Sequence, residues 1–571
     1  MDFGRLNRAE KLSQIKQQEY DIIIIGGGIF GACALREANL RGLKVLLLEA
    51  EDYASGTSAN SYKIVHGGIR YLQHFDLPRI WSSCRERSGF LRVAPHLVQP
   101  LPILVPTYGL GMLGKPILGL GMLVYDFLTM GRNKGIHDRK RHIPLTRFLS
   151  KKATLEEFPE LPQKGLTGAC VFNDGRFYNP TRLVWAFVKT AISKGAHSLN
   201  YLSAKEVNVK NSQTVGLQVE DKLTGEVFDV ACRSVLNTSG PWAEHFLSRS
   251  KISGLQEPEA TYSRDACFVV NRKPKSKYTL AVQGQTSDPD ALLSRPARHL
   301  FMSSWREFTL IGVWHIVTKM HPSKVTVEKQ EIEEYISEVN ESYPELNLDI
   351  NEVCMWNAGL VPFGENDEGN ENLSYGKRSL LIDHEEKDNI KGLVTLVGIR
   401  FTMARDEAER VIDMLQEKIG QKPTKIKSDF IKIDGADFQV FDELVEEIKA
   451  NGAGDIDSKT VEALAHNYGS EYSAVLEIVK NNAETGRVFD NTTVTVAEVL
   501  HCIRREMVEG FGDLVFRRTD VATAGSPGSE TLKDILRVMS QELGWSQEEQ
   551  KKQMAQVESR FPQWIAKASG N

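Results

Sequence analysis

Three consecutive glycines, Gly26-Gly27-Gly28, join a β-branched run to a helix-forming stretch, and this junction constrains the chain more than any other feature. Asp21-Ile22-Ile23-Ile24-Ile25 has no polar alternation and reads as a parallel strand buried on both faces. Beyond Gly31 the residues ACALREANLRG read as a helix, with Gly42 at a C-terminal cap position. A second apolar run, Lys44 to Leu48, gives the next strand and ends in Glu49. The whole is one βαβ unit. Within it, Gly26, Gly28 and Gly31 satisfy G-x-G-x-x-G. The first glycine allows a tight turn, the second lets backbone approach a pyrophosphate, and the third lets the helix lie on the strand. A pyrophosphate would sit at the helix N-terminus beside Ile29 and Phe30, where N–H groups and the helix dipole favour negative charge. Glu49 follows Gly28 by 21 residues, which puts a carboxylate within reach of both hydroxyls of an adenosine ribose. The same charge repels a phosphorylated ribose. The unit is expected to bind a dinucleotide.

A chain of 571 residues is too long for one core and divides into two to four folding units. With 41% apolar and 25% charged residues it has the mixture of an ordinary globular protein. A net charge of −5, from 70 Lys+Arg against 75 Asp+Glu, gives no footprint for nucleic acid. The seven cysteines form no CxxC and no zinc-ligand spacing, so no metal is expected, and reduced thiols in a cytoplasmic protein are the simplest reading. Met1 to Tyr20 lacks the pattern of a secretory signal. One stretch, Thr107 to Arg132, is rich in Leu, Met and Gly, but Lys115, Pro116 and Asp126 interrupt it short of the roughly 18–20 residues of a spanning helix. It precedes a basic cluster: Arg132, Lys134, Arg139, Lys140 and Arg141. The reading favours a buried helix hairpin with a solvated loop. Peripheral docking on an anionic membrane is the alternative.

Further strand-like runs occur at 207–219, 234–237, 266–270, 308–313 and 393–397, with a helical stretch at 182–194. From about Phe438 the periodicity becomes helical, over 442–449, 459–468, 472–480, 496–509, 530–543 and 547–561. An α/β body over residues 1–430 and a helical domain over 431–571 is the economical division.

The segment after Glu49 carries hydroxyls and then a cation, Ser55-Gly56-Thr57-Ser58-Ala59-Asn60-Ser61-Tyr62-Lys63, followed by Val65-His66-Gly67-Gly68-Ile69-Arg70-Tyr71-Leu72. This resembles the FAD-dependent glycerol-3-phosphate dehydrogenase/oxidase family, which carries Thr-Ser, Ser-Lys and His-Gly-Gly-x-Arg-Tyr-Leu just after its acidic ribose ligand. Ala94-Pro95-His96-Leu97, Val235-Leu236-Asn237-Thr238-Ser239-Gly240-Pro241-Trp242, Asn467-Tyr468-Gly469 and the run from Arg504 to Thr519 also resemble family segments. The similarity covers roughly Tyr20 to Gln556. It implies a Rossmann-like FAD-binding domain, an interleaved substrate domain on an antiparallel sheet, and an all-helical C-terminal domain. It implies non-covalent FAD and oxidation of a secondary alcohol, glycerol 3-phosphate or a close analogue, by hydride transfer to flavin N5. Its implied cofactor contacts are Gly26, Gly28, Ile29, Phe30, Gly31, Glu49, Ala50, Thr57, Ser58, Ser61, Lys63, His66, Gly68, Val207, Ser239, Gly240, Trp242, Gly398, Arg400, Phe401 and Thr402. His66 would stand beside the isoalloxazine and take the alcohol proton, a task suited to a group titrating near neutrality. Hydrogen bonding to flavin or backbone alone is its other reading. Arg70, Tyr71, Arg400 and His315 complete the expected catalytic set, with a structural salt bridge the other reading of Arg70. Quinone or oxygen would accept the electrons, and a homodimer is left open.

Three segments depart from the family pattern. Gly359-Leu360-Val361-Pro362-Phe363 has Val361 where the family has a phosphate-binding arginine. Gly398-Ile399-Arg400-Phe401-Thr402 has Arg400 where it has a lysine, and Ile311-Gly312-Val313-Trp314-His315 alters a strand end. Losing a bidentate donor weakens phosphate recognition, which Arg400 with Lys377 or Arg378 replaces only in part. Trp314 and His315 are expected to add bulk and a titratable group to the pocket. Another polyol, hydroxy acid or amine is therefore the second reading. A flavin-binding protein without turnover is the third, opposed by the retention of His66, Arg70 and Arg400.

Overall fold

The computed structural model describes residues 8–69, 76–109, 114–250, 252, 261–284, 299–362, 379–451, 456–562 and 564. Two β-sheets, visited alternately by the chain, form the body. In the first, Tyr20–Ile25 pairs in parallel with Val45–Leu48 on one side and Val227–Asn237 on the other. Leu393–Val397 continues it in parallel, Leu380–Asp383 closes that edge antiparallel, and His197–Leu199 closes the opposite edge. Ile22, Ile23 and Ile24 are fully buried, which is why this strand is unbroken isoleucine. Helix Ile29–Leu40 packs between helices Pro180–Ser193 and Ala404–Lys418.

The second sheet runs in the order Val353–Pro362, Tyr262–Val270, Phe308–Thr318, His299–Trp305, Thr279–Gln283, Val98–Tyr108, Leu166–Phe177, Ile64–Val65. Its pairs are antiparallel except Thr279–Gln283 against Val98–Tyr108. The interleaving is as the resemblance implied. From Phe441 to Glu558 the named elements are helical.

Two expectations change. The single run over 207–219 is a hairpin, Leu202–Lys210 and Gln213–Asp221, because Asn211 and Ser212 adopt left-handed backbone that turns the chain, with φ of 51° and 59°. The apolar stretch is no buried hairpin. It holds one helix, Lys115–Leu128, of which only Met122 and Tyr125 are buried. Leu120, Leu123, Phe127 and Met130 are each about two-thirds or more exposed, beside exposed Trp81 and Leu145. Glycines at 119 and 121 and only partial cover from neighbouring elements leave the apolar stripe outward. The basic cluster is partly internal: Arg132 is buried against Asp126 at 2.9 Å, Arg141 is buried on the Phe441 ring, and Lys140 pairs with Asp442.

The helical part is fastened to the body by buried charge. Asp52, three residues beyond Glu49, accepts from Arg518 through both oxygens at 2.7 and 2.8 Å, from Arg517 at 2.7 Å and from Asn200 at 2.9 Å. Burial opposes ionisation of Asp52, but Arg518 and Arg517 outweigh it and hold the carboxyl below its ordinary range. Arg518 also lies over the Trp185 ring at 4.6 Å. Nearby, Arg182 pairs with Glu506 and donates to the Asn467 carbonyl at 2.8 Å. Removing one member of such a buried pair strands the other, a cost of about 3–5 kcal/mol. Asp52→Ala should therefore lower the urea midpoint and the melting temperature markedly. An unchanged midpoint would show that the clamp carries no stability. Because the Asp52 pKa is depressed, its contribution is present above the unfolded carboxylate pKa and is lost as pH falls through the folded value.

Candidate active site

The glycine junction leaves a cradle. A Cβ on Gly31 would lie 1.9 Å from the Gly26 carbonyl oxygen, so only glycine lets the helix sit this close to the strand end. Over Gly28 the only near atom is Ser58 Oγ at 3.1 Å, and the side a pyrophosphate would occupy is clear. Ser58 Oγ also accepts from the Ile29 N–H at 3.0 Å, which ties the hydroxyl-rich loop to the helix start. The Ile29 side chain is in the core, and the Phe30 ring lies where a Cβ on Gly398 would fall. Glu49 is oriented by two N–H donors, Gly27 at 2.6 Å and Glu51 at 2.8 Å, with Ala50 between. These residues fit a dinucleotide with an unphosphorylated ribose.

The remaining expected contacts divide into groups. Trp242 covers the loop at Gly56, Gly240 has φ of 58°, and Ser239 is held by Asn237 Oδ1 through its hydroxyl at 2.6 Å. Thr238 Oγ1, which the sequence reading passed over, donates to the Ile25 carbonyl at 2.8 Å and closes this turn on the glycine loop. Val207 is buried in its hairpin opposite Leu217. Thr57 turns toward the second sheet, donating to the Leu360 carbonyl at 3.2 Å and packing on Gly359. Ser61 accepts from the Lys63 N–H at 3.3 Å, and the Lys63 side chain extends over the Trp305 ring, not toward the glycine loop.

His66 brings two distant segments together. Its N–H donates to Thr402 Oγ1 at 3.0 Å, and Phe401 packs on Phe177 at 4.5 Å between ring centres. The Gly68 N–H donates to His66 Nδ1 at 2.7 Å. A ring nitrogen that accepts an N–H has its lone pair engaged, so the neutral ring carries its hydrogen on Nε2 and donates there. For His66 to receive the alcohol proton, this contact has to open. The turn itself rests on a pair that no linear motif announced. Asp174 Oδ1 accepts from the Gly67 N–H at 2.7 Å and from buried Arg87 at 3.0 Å, and Arg87 also donates to Tyr125 Oη at 3.0 Å. Both lie more than 15 residues from the motif in sequence, on a helix and a strand whose amphipathic patterns gave no hint of the pairing.

On the second sheet, Gly359, Asp265 and His315 lie in one row across three strands, and Val361 follows Gly359 on the same face opposite Ser263. Since Gly359 meets Thr57, this face looks toward the loop from Ser55 to Lys63, the flavin loop of the resemblance. Trp314 points the other way, into the core on Phe268 and Tyr335, with Nε1 donating to Glu331 at 3.3 Å. The expectation that Trp314 adds bulk to the pocket is corrected: adjacent strand residues face opposite sides. Arg70, Tyr71, Phe363, Lys377 and Arg378 lie outside the described residues. Among the described residues no cluster of metal ligands occurs.

Burial raises the Glu49 carboxyl to about 7, against the opposing pull of the Glu51 and Gly27 N–H donors. A raised pKa means the folded apoprotein holds a proton that the unfolded chain has lost, so its stability falls as pH rises from the ordinary carboxylate value to about 7. Ribose hydroxyls donate to the ionised form. FAD binding therefore releases a proton, and affinity should climb between about pH 6 and about pH 8 and then level off. Titrating the apoprotein with FAD across that range tests this, with Glu49→Gln expected to bind weakly and without the pH slope. A flat wild-type profile would refute it.

The family model described as FAD dependent oxidoreductase matches residues 21–399, and one described as the C-terminal domain of alpha-glycerophosphate oxidase matches residues 426–550. The chain is 28% identical over 551 residues to a glycerol-3-phosphate dehydrogenase of Synechocystis, covering 95% of this chain and 96% of that one. It is 26% identical to the alpha-glycerophosphate oxidase of Lactococcus lactis, covering 98% of each. Its fold matches the glycerol-3-phosphate dehydrogenase of Bacillus halodurans complexed with FAD, with TM-score 0.75 at 22% identity, over 98% of this chain and 97% of that one. Its cofactor is FAD, and the chain belongs to the FAD dependent oxidoreductase family.

Proposed function

We propose that this protein oxidises a secondary alcohol, glycerol 3-phosphate or a close analogue, and passes the electrons to a quinone. The observation that carries the reading is the contact of the His66-Gly67-Gly68 turn with Thr402, which gathers two separate family motifs at one point. Bound FAD supplies the hydride acceptor. The protein's own part is to place the carbinol carbon and to stabilise charge on its oxygen. When the Gly68 contact opens, the ring carries its hydrogen on Nδ1, and His66 Nε2 takes the hydroxyl proton as the carbinol oxygen becomes a carbonyl, while Arg400, two residues before Thr402, adds positive charge that stabilises the developing alkoxide. The named relatives support the substrate class.

The apolar helix Lys115–Leu128 supports docking on a membrane surface, and that favours a quinone over oxygen as acceptor. No helix among the described residues is long and apolar enough to cross a membrane. Large exposed apolar patches mark interaction surfaces, and an amphipathic helix lying in the interface buries such a face. With Arg132 and Arg141 engaged internally, the apolar contact should dominate over the charge left on exposed Lys134, Arg139 and Lys140. Cosedimentation with vesicles containing phosphatidylglycerol should then survive high salt and disappear in the double variant Leu123→Asp, Phe127→Asp. Complete recovery of the wild type in the supernatant would overturn the docking.

Val361 sets a limit on phosphate recognition, because its side chain lies on the face that looks toward the flavin loop and has no donor of its own. A hydrogen bond to a charged group contributes about 1.5–3 kcal/mol, or roughly 10- to 150-fold in binding. Val361→Arg should raise kcat/KM for glycerol 3-phosphate within that range, read by anaerobic bleaching of the flavin. Rapid, high-affinity reduction of the wild type with no gain in the variant would show that Arg400 and its neighbours suffice.

A further inference from the structure

A cavity of about 780 Å³ lies behind the flavin loop, between the face of Val353–Pro362 and the helical C-terminal domain. Ser55, Asn60 and Lys63 line one wall and Asp513, Arg517 and Gln553 another. None of Gly26 to Gly31, Glu49, Ser58 or Thr402 borders it, so it is distinct from the dinucleotide cradle. The two share one wall, since the loop that lines the cavity grips the helix start through Ser58.

Two buried donors in this cavity lack the partners their chemistry calls for. Lys63 is 3% exposed, and its ammonium has only the Ser61 carbonyl at 3.3 Å and the Trp305 ring at 4.6 Å, with no carboxylate in ion-pair reach among the described residues. Asn357 is 5% exposed, and its Nδ2 has no hydrogen-bond partner. Of the four acids bordering the cavity, Glu51 is matched with Lys222, Asp513 with Arg517 and Glu549 with Lys552, which leaves Glu509 as the fourth. Burial draws the Lys63 ammonium down to about 8, and Arg306 adds repulsion. An unpaired buried cation is costly unless something supplies the opposite charge.

We propose that this cavity is a second ligand site, which takes a small oxyanion-bearing molecule, a phosphate or a carboxylate, on Lys63 Nζ and Asn357 Nδ2. Its volume suits a small metabolite, and the remaining wall of hydroxyls, amides and acids would accept the hydroxyls of its body. The anion would pair a buried ammonium and satisfy an orphaned amide in one step, and both gains require the helical domain in place to close the cavity.

The test uses the full-length, FAD-loaded protein, titrated calorimetrically with inorganic phosphate and separately with citrate. Saturable binding of either probe is expected, and which one binds tells phosphate from carboxylate. Affinity should fall at least about tenfold in Lys63→Met and in Asn357→Leu, the loss of one hydrogen bond to a charged group. It should persist in Arg400→Met, which separates this site from the substrate pocket. Should Lys63→Met fail to hold flavin, Asn357→Leu decides, because its side chain meets the cavity without bordering the cradle. Flavin reduction by glycerol 3-phosphate is followed in parallel, so failure of the proposed reaction is seen independently of anion binding. Absence of saturable binding with both probes, or binding lost in Arg400→Met and unchanged in Asn357→Leu, would overturn the proposal.

Discussion

The ion pair of Asp52 with Arg518 is the contact on which the rest of the architecture leans. It starts three residues beyond Glu49, so the strand end whose carboxylate is held by the Gly27 N–H also anchors the helical C-terminal domain. Both charges are fully buried, and such an arrangement is stable only when every partner is in place. Arg517, Asn200 and the Trp185 ring provide those partners from three different parts of the chain. Cofactor cradle and domain docking are consequently two ends of one short segment.

A second level of organisation comes from the interleaved sheets. The flavin loop from Ser55 to Lys63 is held on one side by Ile29 through Ser58 and on the other by Leu360 through Thr57. It is a partition with a face to each sheet. The dinucleotide cradle opens on one side, and the cavity with Lys63 and Asn357 on the other. The His66 turn is fixed in the same manner, by Thr402 from the first sheet's neighbourhood and by Asp174 and Arg87 from beneath the second. Each of these contacts except the Arg87–Asp174 pair joins a backbone N–H or carbonyl to a single side-chain partner. Their geometry depends on the sheets keeping register.

The surface helix Lys115–Leu128 breaks the usual rule of burial in a consistent way. Its apolar residues face outward while two neighbouring cations, Arg132 and Arg141, are drawn inward to Asp126 and Phe441, and Lys134, Arg139 and Lys140 stay exposed. A helix that only needed to be soluble would have the reverse arrangement. The outward apolar stripe is what gives the membrane reading its weight, with the exposed cations beside it.

The sequence alone determined the βαβ unit and the class of cofactor, because both depend on residues within about thirty positions whose spacing is fixed by strand and helix repeat. It also carried the helical C-terminal texture and the approximate strands, since periodicity is a local property. What it left open depended on contacts between distant segments. Asn211 and Ser212 split an apparent single strand by adopting left-handed backbone, which apolar patterning does not encode. Trp314 and His315 are neighbours in sequence, and only the register with Asp265 and Ala266 decided which one faces the flavin loop. Arg87 and Asp174 are ordinary charged residues until the fold buries them under Gly67. The apolar stretch after Tyr108 reads alike as core or surface, because hydrophobicity states that a face must be covered and only the tertiary packing shows that the protein itself leaves it bare.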